Sequence, residues 1–220
     1  MGATPEEVAA GHAFYSRRTL RIYDPMILGF FSRVAWRCPS SRILEHYDRH
    51  VSGNHLDVGP GTGYFLDRCR FPVADPRIAL LDLNTDCLAV ACERIGRYRP
   101  QQFVANALEP LEIDTEKFDS VALNYVLHCL PGRMADKTTV FRNLATVTTP
   151  GGVIFGATLL QEGVPRSWYA RAVMARNNRV GIFSNRDDSL DDLTAGLAEC
   201  LVETSVEVVG CVAMFSGRVA

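Results

Sequence analysis

Lysine is nearly missing from this chain. Of its 23 basic residues only Lys117 and Lys137 are lysine; the rest are arginine. Neither sign of charge dominates, since 25 acidic residues leave a formal net charge of -2. That balance argues against nucleic acid and against an anionic membrane surface as partners. The seven cysteines contain no CxxC pair and no Cys/His finger spacing, which disfavours zinc and a secreted disulfide scaffold. Reduced, mostly buried thiols in a cytoplasmic protein fit the count. No apolar run approaches the ~18 residues of a membrane span. Glu6 and Glu7 stand where a signal peptide would need an apolar core. Repeats, linkers and low-complexity stretches are absent as well, so the 220 residues read as a single domain with room for a real core.

What is present is organised around residues 55–67, HLDVGPGTGYFLD. Asp57 and Val58 end a short apolar run. Gly59, Pro60, Gly61 and Gly63 follow, and a helical pattern begins at once. Glycine allows positive φ and close approach of a ligand. The helix start offers unpaired N–H groups and partial positive charge. A strand, glycine turn and helix in that order form a binding device, and the glycines alone do not name the ligand.

Residues 5–50 read as helical. Thr4 can cap a first helix, Asp24-Pro25 starts a second with an apolar face through Trp36, and Ser40 or Ser41 caps a third. From residue 53 strand and helix alternate. Strands are expected over 54–58, 77–83, 102–105, 118–123 and 153–160, the last entered through a turn at Pro150-Gly151-Gly152. Helices are expected over 62–70, 85–96 (capped by Asn84) and about 134–147. This succession predicts a mainly parallel sheet covered on both faces. Residues 165–179 and 189–199 read as helices. Runs 202–209 and 211–219 read as a hairpin around Gly210.

In such a sheet the ligand lies beyond the C-terminal strand ends. Asp82 ends the second strand, where a carboxylate can accept from both hydroxyls of a ribose. The loop is neither a dinucleotide fingerprint, because Tyr64 replaces the third glycine of GxGxxG, nor a P-loop, because Gly-Lys-Ser/Thr is absent. DxGxGxG therefore suits one adenosine with a zwitterionic tail.

At residues 54–124 the chain resembles the cofactor half of a class I S-adenosylmethionine-dependent methyltransferase. LDVGPGTGYFL is similar to that family's first motif and LLDLN to its acidic second strand end. FVANALEPL, FDSVALNYVLHCLPG and LATVTTPGGVIFGATLL resemble the later motifs. The resemblance covers about residues 50–160, and residues 15–50, with Tyr23-Asp24 and Trp36-Arg37-Cys38-Pro39, look like a small-molecule branch of the family. It implies a three-layer, Rossmann-like α/β fold. The sheet would have seven mostly parallel strands in the order 3-2-1-4-5-7-6, with strand 7 antiparallel. Residues 1–50 would be a helical lid, 51–160 the cofactor core, 161–200 a helical substrate wall and 201–220 the hairpin.

The resemblance also assigns residues. Gly59, Pro60, Gly61 and Gly63 would approach the methionine portion of S-adenosyl-L-methionine, and Asp57 would hold its amino group. Asp82 would take the ribose and Leu83 would pack on adenine. Asn106, where the family usually has aspartate, would accept from the adenine amino group, and Ala107 would offer its N–H. Asn124 would lie under the methionine end. Each polar residue has a plainer structural alternative, a turn or cap role.

Methyl transfer from a sulfonium needs mainly alignment. A base is needed only if the nucleophile arrives protonated. His128 is the best titratable candidate; Tyr15 and Tyr23 lie where the helices could cover the pocket. Trp168, Tyr169, Met174 and Phe183 offer apolar area, and Arg166, Arg171, Arg176, Arg179 and Arg186 offer charge for a substrate carboxylate or phosphate. The fourth strand lacks the Asn-Pro-Pro-Tyr ending of DNA amino-methylation, and an acidic metal cluster is missing. The expectation is methylation of a small organic molecule, on oxygen first, in secondary metabolism, by a cytoplasmic monomer or homodimer without a metal. A cyclisation or rearrangement on the same fold is the alternative.

Overall fold

The computed structural model describes residues 24–220. Expectations that fall on Thr4, Tyr15, Tyr23 and the first helix lie outside the described residues. The sheet has seven strands: β1 (Asn54–Val58), β2 (Arg77–Leu81), β3 (Gln101–Phe103), β4 (Phe118–Asn124), β5 (Thr148–Leu159), β6 (Val202–Val209) and β7 (Val212–Arg218). Their order is β3-β2-β1-β4-β5-β7-β6. The first five are parallel; β7 runs antiparallel to both β5 and β6. This is the order the resemblance implies.

Strands buried on both faces need apolar residues at successive positions, and β2 shows why. Ala79 and Leu81 enter one apolar cluster with Leu56, Val121 and Phe141. Ile78 and Leu80 enter another with Tyr47, Leu88 and Phe155 on the opposite face. Helices cover each face: α1 (Ser40–His50), α2 (Tyr64–Arg68), α3 (Thr85–Arg94), α4 (Met134–Lys137), α5 (Thr139–Thr146), α6 (Trp168–Arg179) and α7 (Leu190–Cys200). The caps are local. Asn84 accepts from Asp86 N and Cys87 N at the start of α3, Ser167 from Ala170 N at α6, and Ser189 from Asp192 N at α7.

Four expectations change. The Asp24 segment is π-helical over Asp24–Phe31 before a short α-turn at Ser32–Val34. Ser32 Oγ donates to Ile27 O, five residues back, which suits the wider winding. Ser40 does not cap α1; Pro39 holds the cap position without a side-chain bond, and Ser40 Oγ donates to Leu28 O instead. The expected helix over 134–147 is two pieces that meet at Thr138. The Pro150-Gly151-Gly152 turn is a bulge inside β5, where the register against β4 shifts between Phe118 and Ser120. It stays in the sheet because Gly151 N donates to Val219 O and Val219 N to Gly152 O. Among the described residues no helix is long and apolar enough to cross a membrane.

β1 lies at the centre, between β2 and β4. The crossover direction changes there, so loops leaving β1 and β4 at their C-terminal ends part and open a crevice.

Candidate active site

The β1 loop is built by its glycines. Gly59 N donates to Leu81 O and Gly63 N to Pro60 O, which closes a tight turn. Gly63 sits at φ 72, in the left-handed region, as the residue that starts α2. A side chain there would also press on Ala91 of α3, 3.2 Å from its Cα. Gly61 is different. A Cβ on it would meet nothing within 4 Å, so its bareness leaves space rather than relieving a clash.

That space belongs to a cavity at the strand ends. Asp57, Gly59, Pro60, Gly61, Gly63, Asp82, Leu83, Asn106 and Asn124 all line it. Nine of the ten sequence-predicted cofactor positions thus converge on one crevice from four separate segments. The tenth, Ala107, is buried in the apolar core, and its carbonyl accepts from Asn143 Nδ2.

The polar groups of the crevice are set differently. Asp82 Oδ1 accepts from Asn84 N at 2.8 Å. Burial raises its carboxyl to about 6, partly opposed by backbone N–H groups of Asn84 and Leu83. Asn106 is tied into its own turn: Oδ1 accepts from Leu108 N and Nδ2 donates to Glu109 Oε1. Asn124 is buried, and neither its Oδ1 nor its Nδ2 has a partner among the described residues. An amide left so is costly, and a ligand carrying both donors and acceptors, as an amino acid tail does, would satisfy it. The crevice therefore fits S-adenosylmethionine on three observations: open space over Gly61, a carboxylate at the end of β2 and an orphaned amide at the end of β4.

A second cavity of about 520 Å3 adjoins the first. That size accommodates a drug-sized organic molecule. Its walls are mostly apolar or aromatic, with Phe31, Trp36, Tyr169 and Phe183 contributing rings. Phe31 and Tyr169 stack nearly parallel, with centroids 6.3 Å apart; Trp36 leans on Phe183 at 6.2 Å. Arg176 is the one cation among the described residues of the wall. Of the other expected contributors, Trp168 is 80% exposed, and Met174 is wholly buried in the core behind α6. Arg171, Arg179 and Arg186 are exposed away from the cavity lining, and Arg166 turns to Gln161.

Tyr125 lines both cavities. It follows β4 at φ 61, in the left-handed region an aromatic residue seldom adopts. Its N–H donates to Ala157 O at 2.7 Å, which holds the strained turn on β5. His128 lies in the wall of the second cavity, buried, with Nδ1 3.4 Å from Thr158 Oγ1 and from Leu159 N. Burial, with Lys137 nearby, lowers its imidazole to about 3. Neutral at physiological pH, it is a weak base.

Two arrangements here were beyond sequence reasoning. Asp24 accepts from Thr62 Oγ1 and Arg94 Nη2, both at 2.6 Å, which ties the N-terminal segment to the glycine loop. The loop behind the second cavity is held by a buried ion pair. Lys137 Nζ donates to both Asp188 oxygens, at 2.9 and 2.8 Å, and to Ser184 O at 2.6 Å. Ser184 N in turn donates to His128 O.

Comparison with known proteins agrees with this geometry. A family profile described as a methyltransferase domain matches residues 56–154. Demethylluteothin O-methyltransferase of Streptomyces thioluteus is 40% identical over 210 residues, covering 96% of this chain and 91% of that one. The physcion biosynthesis cluster O-methyltransferase of Aspergillus chevalieri is 35% identical over 214 residues, covering 96% and 95%. In fold, the chain is similar to DhpI in its complex with S-adenosylhomocysteine (SAH), with a TM-score of 0.72 over 99% of both chains at 15% identity. With relatives this similar along nearly its whole length, and a crevice that fits the cofactor, the chain belongs to the class I S-adenosylmethionine-dependent methyltransferases, in their small-molecule branch.

Proposed function

We propose that the protein transfers a methyl group from S-adenosylmethionine to a hydroxyl oxygen of a flat, largely apolar organic molecule, in secondary metabolism. The observation that carries this reading is the pair of cavities joined at Tyr125. Bound cofactor supplies an electrophilic methyl carbon attached to sulfur. The chain's residues supply the alignment. Asp57 and Asn124 hold the amino acid tail, Asp82 holds the ribose hydroxyls, and Leu83 packs on the adenine.

The aromatic walls of the second cavity bind the acceptor by face and edge contacts. Arg176 faces any anionic substituent. His128 is too weak a base to carry a proton away at neutral pH. Because Nδ1 accepts from Leu159 N, the one proton of the neutral ring sits on Nε2, and we assign it the role of donating a hydrogen bond to the acceptor's oxygen, which suits an acidic hydroxyl, phenolic or enolic, that arrives ionised. Tyr15 and Tyr23 remain candidates to cover the pocket. Two relatives at 40% and 35% identity bear O-methyltransferase names, which supports oxygen over nitrogen. Seven cysteines, none of them in a disulfide, support a cytoplasmic setting.

The test is to incubate the enzyme with S-adenosylmethionine and a panel of phenols, enols and amines, and to quantify SAH against methylated product. Equimolar SAH and O-methyl product is expected. Product from an amine alone would refute oxygen. Turnover without SAH would reinstate a rearrangement.

A further inference from the structure

Asp57 is served from behind by a line of buried polar groups taken from three elements. Tyr47 of α1 donates its hydroxyl to Asp57 Oδ2 at 2.6 Å. His55 of β1 places Nε2 2.7 Å from the same hydroxyl oxygen and Nδ1 2.7 Å from Ser120 Oγ of β4. Ser120 Oγ also accepts from Ser52 N at 2.9 Å. Tyr47, His55 and Ser120 are fully buried, and Asp57 is 5% exposed.

With Asp57 ionised and the His55 ring neutral, one direction for each proton from Tyr47 to Ser120 follows. An ionised carboxylate can only accept, so the single Tyr47 proton goes to Asp57. The Tyr47 oxygen then has no second proton for His55, so Nε2 must carry a hydrogen and donate. A neutral imidazole has one N–H, so Nδ1 is the acceptor and Ser120 donates to it. Ser120 Oγ also lies 2.8 Å from Ser52 Oγ, but its one proton goes to Nδ1, which has no hydrogen of its own, while Ser52 N donates to Ser120 Oγ and Ser52 Oγ donates to Asn54 O. Burial and the Asp57 charge hold the Tyr47 phenol well above its ordinary range, which keeps the proton on its oxygen.

We propose that Ser120, His55 and Tyr47 form a one-way hydrogen-bond chain that positions Asp57, fixing Oδ2 and leaving Oδ1 to the cofactor's amino group. The proposal rests on the cofactor reading of Asp57. Nothing in the line touches a ligand, so Tyr47 and His55 are positioning residues. A single backbone donor would fix the oxygen as well. A line of side chains spanning α1, β1 and β4 does more: it sets the carboxylate relative to the two strands whose ends make the crevice.

A double-mutant cycle read by isothermal titration with SAH tests this. Tyr47→Phe removes one oxygen and keeps the ring, which packs on Phe65 and Phe155. Its SAH Kd should rise about tenfold, the loss of a hydrogen bond to a charged group. KM for S-adenosylmethionine should follow, with kcat at saturation within about twofold. In an Asp57→Ala background the same Tyr47→Phe change should have no further effect. An equal loss in both backgrounds makes Tyr47 independent of Asp57 and overturns the proposal alone. No loss from Asp57→Ala by itself overturns the cofactor reading of Asp57, and the proposal with it. In the unsubstituted enzyme, 15N NMR of the imidazole should show His55 protonated at Nε2. Protonation at Nδ1 would refute the chain.

Discussion

Asp24 and Arg94 meet at 2.6 Å across seventy residues of chain, and Thr62 of the glycine loop donates to the same carboxylate. Both charged partners are shielded, at 18% and 29% exposure. Their bond ties the segment leading into the acceptor cavity to the loop that holds the cofactor.

Breaking it should loosen the loop more than the fold. Asp24→Ala is expected to raise the SAH Kd by about fivefold, about 1 kcal/mol, with Tm moved by only a few degrees. Titration calorimetry beside a thermal melt gives both. A large drop in Tm with unaltered affinity would make the bond a fold support and nothing else.

Asp82 sets a pH dependence with a definite sign. Its carboxyl, raised to about 6 by burial, is partly protonated in the free protein below neutrality. Ribose hydroxyls need the ionised form as acceptor. SAH affinity should therefore climb from pH 5 and level off above about pH 7. Asp82→Asn should bind ~1–3 kcal/mol more weakly and lose that climb. A climb that survives the substitution belongs to another group.

The Lys137–Asp188 pair should behave as a buried pair does. Removing one partner, as in Lys137→Met, leaves a charge buried and should cost about 3–5 kcal/mol by urea unfolding. Lys137→Met with Asp188→Leu should recover much of that loss. Because Ser184 joins this pair to the His128 backbone, the single variant should also raise KM for the acceptor. Equal stability of the single and double variants would contradict the pairing.

For His128, the weak-base assignment predicts a plain result. His128→Gln should keep kcat within about tenfold for a phenolic or enolic acceptor. The kcat/KM profile should show no limb near 6.5, the ordinary imidazole value. A limb there, lost in the variant, would make His128 the general base.

The crevice was readable in the sequence because its parts are local. Glycine spacing, an acid at one strand end and an asparagine at another each act within a few positions, and the parallel order then brings them together. Side chains that meet only through the fold were not readable. Tyr47, His55 and Ser120 carry no common spacing. Lys137 reads as a solvated charge until Asp188, fifty-one residues on, closes over it. Ser40 looked like a cap and became a tertiary donor to Leu28, because Pro39 took the cap position. Trp168 looked like pocket wall, but it is the first residue of α6 and faces solvent.

Among the described residues the two cavities have only Tyr125 in common. The cofactor crevice is made mostly of sheet ends, the loops that follow them and the first turns of α2 and α3, with Leu28 added from the 24–31 segment. The acceptor cavity draws instead on the 26–36 segment, α6 and the 180–183 loop. Substitutions on α6 and the 180–183 loop can therefore reshape the acceptor walls without touching a residue of the donor side. A lineage built this way can change what it methylates far more readily than how it methylates.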